Sequence, residues 1–166
     1  MRLIDFRKNE IIIVEELQKV LSTSERPCAV IRGNQVAPIP LYPYVSYNVI
    51  TPIVANNKQY CIDDEGNTFK ELKQIWSFTV QSNDSTESQI LAAKAFDWFS
   101  YNGNTFLSDN NIVAQSVTNI TNRDNLLSVG YEYRNGFDVT FNLMHKIENL
   151  KYDGEIESMS LKAKEE

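Results

Sequence analysis

Apolar positions Ile13, Val14, Leu17, Val20 and Leu21 fall on one helical stripe, with Glu15, Glu16, Gln18 and Lys19 on the other face. This spacing predicts an amphipathic helix. Asn9 is its expected N-cap, and Pro27 bars continuation. Residues 28–31 form a short apolar run, read as a strand and closed after Arg32 by the Gly33-Asn34 turn signal. Pro38, Pro40 and Pro43 then hold residues 36–44 stiff and extended. Val45, Tyr47 and Val49 alternate with Tyr44, Ser46 and Asn48, as in a strand with one face in the core. Tyr60-Cys61-Ile62 and Thr68-Phe69 flank a polar loop and are expected to pair as a small hairpin. Trp76, Phe78 and Val80 alternate with Ser77, Thr79 and Gln81, a further strand. Asp84 and Glu87 have capping-box spacing, with Glu87 expected to reach back to the cap amide. A broad apolar face follows, Leu91, Ala92, Ala95, Phe96, Trp98 and Phe99, ending near Asn102-Gly103. Residues 112–120 alternate weakly and are a candidate strand. Residues 122–125 read as a loop or short helical turn.

The last element turns on register. Asn135-Gly136 is a strong two-residue hairpin signal. A hairpin there would set Tyr133 opposite Asp138 and Tyr131 opposite Thr140, mixing aromatic and polar side chains on one face. Read as one unbroken strand, Tyr131, Tyr133, Phe137, Val139, Phe141 and Leu143 share a face, and Glu132, Arg134, Asp138, Thr140 and Asn142 share the other. A slip of one residue would destroy that order. The prediction is one long strand, with Gly136 marking a bend or a close backbone approach. Thirteen residues span roughly 43 Å at ~3.3 Å each, enough to carry the sheet toward a neighbouring subunit. Residues 146–166 are mostly charged and read as a tail, or an arm that orders on a partner. The expected organisation is one α+β domain over residues 1–145 and this tail. Its architecture is a mixed, largely antiparallel sheet with two main helices packed on it.

Composition narrows the function more than the fold. The 166 residues fit one domain. A net charge of −6 argues against a dedicated nucleic-acid binder. No stretch approaches ~20 apolar residues, so no membrane span is expected, and no signal peptide is read at the N-terminus. Cys28 and Cys61 are expected to be unpaired in a reduced, cytosolic chain. His145 is the only histidine, at a strand end, with no nucleophile motif near it. Two cysteines and one histidine, widely spread, are too few for a usual zinc site. No phosphate-cradling glycine loop appears. Residues 63–67 crowd carboxylates around Gly66 without the ligand spacing of a calcium loop, and read as a solvated turn. Asp97, Glu132 and Asp138 are the carboxylates open to an acid–base reading. No catalytic, cofactor or metal residue is assigned. Pro43, Tyr44, Ser46, Glu132, Arg134, Asp138 and Thr140 are instead candidate subunit-interface residues. A solvated sheet face is the alternative for the polar row of the last strand.

The ordered pattern carries a resemblance. It comprises a short helix, Val30-Ile31-Arg32-Gly33-Asn34-Gln35, Ala37-Pro38-Ile39-Pro40, and Pro43-Tyr44-Val45-Ser46-Tyr47. A Trp/Phe strand, an aromatic-rich helix and Tyr131-Glu132-Tyr133-Arg134-Asn135-Gly136-Phe137-Asp138-Val139 follow. Over roughly residues 9–145 it resembles the neck or tail terminator proteins of tailed bacteriophages, also called tail completion or tail-to-head joining proteins. The polar insertion at 56–70 and the charged tail lie outside the resemblance. It implies a non-catalytic virion protein without a cofactor, assembled in the host cytoplasm. It implies a ring, expected to have six subunits, that caps the tail tube and docks the head connector. In a contractile particle it would also meet the sheath. Such a ring uses two different faces of each subunit. DNA would pass through it without sequence-specific binding, helped by like charge. The competing readings are another neck or tail part, such as a connector stopper or tube subunit, and a small cytosolic ligand-binding or enzymatic domain.

Overall fold

A computed structural model describes residues 6–54, 60–128 and 130–147. Helix α1 spans Phe6–Leu21 and buries Ile13, Leu17 and Leu21. Asn9 therefore sits inside the helix rather than capping it, because the helix is already under way at Phe6. Strand β1 (Ala29–Arg32) runs parallel to β2 (Tyr44–Val54), with Ala29 opposite Tyr44 and Arg32 opposite Tyr47. Parallel neighbours cannot be joined by a tight turn. Residues 33–43 make the crossover without a helix, as the prolines require.

Strand β3 (Tyr60–Ile62) pairs with the start of β4 (Thr68–Ser82), Cys61 opposite Phe69, which is the expected hairpin. Helix α2 (Ser85–Asp97) continues through a π-helical turn, Trp98–Asn102, into a short helix α3, Asn104–Asp109. The sequence pattern did not announce α3. Strand β5 (Ile112–Val117) follows. Residues 122–125 form no helical turn, and only 123 and 124 are the loop that was the other expectation. They bridge two short strands, β6 (Thr121–Asn122) and β7 (Asn125–Leu127), and both pair with β8 (Gly130–Ile147). Two contacts hold this path extended: Asn122 Oδ1 accepts from the Asp124 amide at 2.9 Å, and the Arg134 amide donates to Asp124 Oδ1 at 2.7 Å.

The sheet order is β1-β2-β4-β8-β5, mixed and mostly antiparallel, so the fold is α+β. The unbroken reading of β8 holds. It pairs with β4 continuously from Thr68↔Ile147 to Ser82↔Tyr133, and β5, β6 and β7 take stretches of its other edge. Its length is used inside the subunit, so β8 is not a free edge for a neighbour. Residues 148–166, where the charged tail was expected, lie outside the described residues.

The two sheet faces differ sharply. The helices cover the side carrying Trp76, Phe78, Val80, Phe137, Val139, Phe141 and Leu143. Phe78 is the hub, with ring centroids of Tyr47, Trp76, Phe99, Phe137 and Phe141 within 6.5 Å. Burial on this scale dominates the stability of the domain. Cys28 joins the core, and burial pushes its thiol up to about 11. Cys61 is exposed, and neither cysteine is in a disulfide. Asn135 is buried on the helix side and donates to Ser88 Oγ at 2.9 Å, so its polar group is satisfied.

Only half of the capping box forms. Asp84 Oδ1 accepts from the Glu87 amide at 2.7 Å, as expected. Glu87 does not reach back. Its carboxylate takes both ends of the Arg26 guanidinium, at 2.7 and 2.9 Å, while Ser82 Oγ accepts from the Asp84 amide at 3.0 Å. The bidentate charged pair outcompetes the local amide. Hydrogen bonds from Arg26 hold the Glu87 carboxyl below its usual range. A carboxyl with a depressed folded pKa adds stability above its unfolded value, roughly 4.3, and loses it as pH falls through the folded value. Glu87→Gln is therefore expected to be less stable at pH 7 and to lose less on acidification. Urea midpoints of both proteins between pH 7 and pH 3 measure this, and parallel curves would refute it.

Candidate functional site

The face away from the helices is a polar platform. Alternation on β2, β4 and β8 puts Tyr44, Ser46 and Asn48 beside Gln81, Thr79 and Ser77, and these beside Arg134, Gly136 and Asp138. The predicted residues Tyr44 and Ser46 on β2 and Arg134 and Asp138 on β8 therefore share one face, on either side of β4. Thr140 lies on the same face, one step further along, opposite Ile75. Pro43 is apart: it is buried, and lines a hollow with Arg26, Glu87 and Ile90 near the start of α2.

The centre of the platform is a side chain the sequence reading missed. Arg123, between β6 and β7, lies across the sheet. Its Nη1 donates to Ser77 Oγ at 2.8 Å and Thr79 Oγ1 at 2.9 Å, and its Nη2 pairs with Asp138 at 3.1 Å. Gly136 makes room for it. A Cβ there would stand 2.6 Å from the Phe78 carbonyl oxygen and 2.8 Å from both Arg123 Nη1 and Thr79 Oγ1. The close approach expected at Gly136 is thus a guanidinium over a bare strand position. The Asp138 carboxylate on a polar strand face was the sequence signal for a nearby cation.

A second cluster closes the end of the platform. Glu132 is only 4% exposed. It accepts from Tyr42 Oη at 2.8 Å and Tyr44 Oη at 3.3 Å, and the Arg134 guanidinium binds it through Nε and Nη2. The two tyrosine rings stack at 5.7 Å. Burial, and then the Glu132 charge, push the Tyr44 hydroxyl up to about 12. A buried carboxylate is tolerated because each oxygen has strong donors. These bonds also tie the proline crossover to β8.

The carboxylates open to acid–base work do not meet. Asp97 is exposed at the end of α2 on the helical side, whereas Glu132 and Asp138 face the opposite side and are each bound to an arginine. His145 lies at the far end of the sheet, where burial and then nearby Lys70 lower its pKa. Among the described residues no group of His, Cys, Asp and Glu is arranged to hold a metal. No helix among them is long and apolar enough to cross a membrane. Residues 63–67 form an exposed turn, with Asp63 Oδ1 accepting from the Glu65 and Asn67 amides at 3.0 and 2.7 Å.

Above the platform the crossover leaves a groove of about 380 Å³, lined by Gln35, Ala37 and Ile39 on one side and by Ser46, Thr79 and Arg123 on the other. Arg32 and Arg134 also reach it, and no acidic side chain lines it. On the crossover itself, Ile39 is 75% and Leu41 92% exposed, and Val36 is fully exposed. Three large apolar side chains on a proline-stiffened loop gain nothing in a free monomer.

No curated protein matches the chain. A family model described as phage neck terminator protein matches residues 12–164, a span that takes in the polar insertion and most of the charged tail as well as the sheet and helices. The chain therefore belongs to the phage neck terminator family, a structural component of the tail and neck of the virion.

Proposed function

We propose that this protein is the non-catalytic joint at the head-proximal end of a phage tail. Copies of the chain close into a ring, six being the expected number, on the last ring of the tube protein. The ring stops tube growth and presents a docking surface to the head connector, and in a contractile particle to the sheath. It assembles in the host cytoplasm, and DNA passes through it without sequence-specific contact. A net charge of −6 suits such a channel, because like charges do not hold phosphate.

The observation that carries this reading is the exposed apolar crossover. Val36, Ile39 and Leu41 stand out on a segment stiffened by Pro38, Pro40 and Pro43. Tyr42 anchors it to Glu132. A rigid loop loses little conformational entropy on docking, so its apolar surface converts efficiently into affinity. An early stop codon in the gene, within the parent phage, tests the role. Negative-stain micrographs of the lysate are expected to show unjoined heads beside tails of uncontrolled length. Normal infectious particles would overturn it.

A further inference from the structure

The two ends of the sheet line their surfaces with oppositely charged side chains, each groove arginine having its own carboxylate partner (Glu10, Asp138 or Glu132) outside the groove lining. At one end lies the groove with Arg32, Arg123 and Arg134 and no acidic lining. At the other, the β3–β4 turn holds Asp63, Asp64 and Glu65, exposed and with no cation among residues 63–67. Lys70 on the stem of that hairpin sits over the Tyr60 ring and Lys146 of β8 over the Phe69 ring, each 5.9 Å from the centroid; with the Asn67 hydrogen bond as the main cause, the Lys146 charge also helps to hold the Asp63 carboxyl below its usual range. The stem also exposes Tyr60 (50%) and Ile62 (71%), as the crossover beside the groove exposes Ile39 and Leu41.

A chain cannot bring its own two ends together. Thr68, where β4 leaves the hairpin, and Thr79, in the groove, are eleven residues apart on one strand, or about 36 Å at ~3.3 Å per residue. The guanidiniums keep capacity for a partner. Arg134 uses Nε and Nη2 on Glu132, which leaves the Nη1 hydrogens without a partner among the described residues. Among the described residues Arg32 pairs with Glu10 at 3.7 Å, and its side chain is half exposed.

We propose that the acidic β3–β4 turn of one subunit docks into the arginine-lined groove of the next, with the apolar hairpin stem against the exposed crossover loop. The contact is heterologous: each copy uses its turn on one neighbour and its groove on the other, which is the geometry that closes a ring. It rests on the ring reading above and names the two surfaces.

Sedimentation velocity of the full chain tests it with charge reversals. The groove variant is Arg32→Glu with Gln35→Glu, sparing Arg123 and Arg134, which hold the Asp138 and Glu132 carboxylates. The turn variant is Asp64→Lys with Glu65→Lys, sparing Asp63 and Gly66, which shape the turn. Circular dichroism checks that both fold. Each variant alone is expected to self-associate at least ~tenfold more weakly than the unmodified chain, because like charges then face each other. Mixed together, they are expected to recover the original assembly as an alternating oligomer, since each reversed surface meets its complement. Variants that assemble as well as the unmodified chain would overturn this contact while leaving the ring reading intact. So would failure of the mixture to recover. An unmodified chain that stays monomeric to roughly 1 mM would also overturn it. The stop-codon micrographs judge the neck role independently of all three.

Discussion

Phe78→Ala is expected to destabilise the protein by about 3–5 kcal/mol, the usual cost of emptying a large aromatic site that cannot collapse. Phe78 is 1% exposed on the central strand β4. Its ring meets Phe99 at 4.8 Å from the helical layer, Tyr47 at 6.2 Å from β2, and Phe137 at 6.1 Å from β8. Three strands and the π-helical turn lean on one side chain, so no single neighbour can move in to fill the space. Domains of this kind are stable by roughly 5–15 kcal/mol in total. The variant is thus expected to unfold at much lower urea concentration, with an unchanged denaturant slope. A loss under about 1 kcal/mol would mean that the aromatic column is not the keystone of the core.

Gly136→Ala is the other large effect, for a different reason. The added methyl carbon has no room: 2.6 Å to the Phe78 carbonyl oxygen and 2.8 Å to Arg123 Nη1 and Thr79 Oγ1. The first of these is backbone in the middle of a sheet, so the neighbour cannot step aside cheaply. Overpacking of this type costs roughly 1–3 kcal/mol. The arginine is the part that can move, so Arg123 is expected to leave Ser77 and Thr79 and strand Asp138. Ser77→Ala is the comparison, because it removes one Arg123 hydrogen bond without adding bulk. Stability of the two variants by thermal melting, at low and high salt, separates the effects. Gly136→Ala should lose more stability than Ser77→Ala at both salt concentrations. Equal losses would show that the bare strand position is not what lets the guanidinium lie across the sheet.

Much of the fold was legible because its signals are periodic. The parity of residues 131–143 excluded a hairpin at Asn135-Gly136, and β8 is one strand. Apolar flanks around a polar turn announced the β3–β4 hairpin. A helical stripe on α1 and a broad apolar face on α2 named most of the residues that are now buried. Each is a relation between neighbours in sequence, where strand and helix geometry decide which side chains share a face.

The candidate site was legible only as a face. Ser46 on one strand, and Arg134 and Asp138 on another, were each assigned to a polar face by the same alternation, and in the fold these faces form the open side of the sheet. Four further features came only with the tertiary structure. Arg123 sits in an aperiodic stretch, and Asp138 found it fifteen residues away through the β6–β8 pairing. Glu132 is a buried carboxylate on a face read as polar, because the β1–β2 crossover brings Tyr42, and the start of β2 brings Tyr44, onto it. Glu87 turned from its local amide to Arg26, sixty-one residues distant in sequence. The β8 strand, long enough to reach a neighbour, was paired by β4 from Tyr133 to Ile147 and by β7 over residues 130–132. Hydrophobic alternation is set by the chain's own geometry, so sequence by itself determined the elements and their faces. Which charge meets which is set by where folding brings distant segments, and only the tertiary structure decided that.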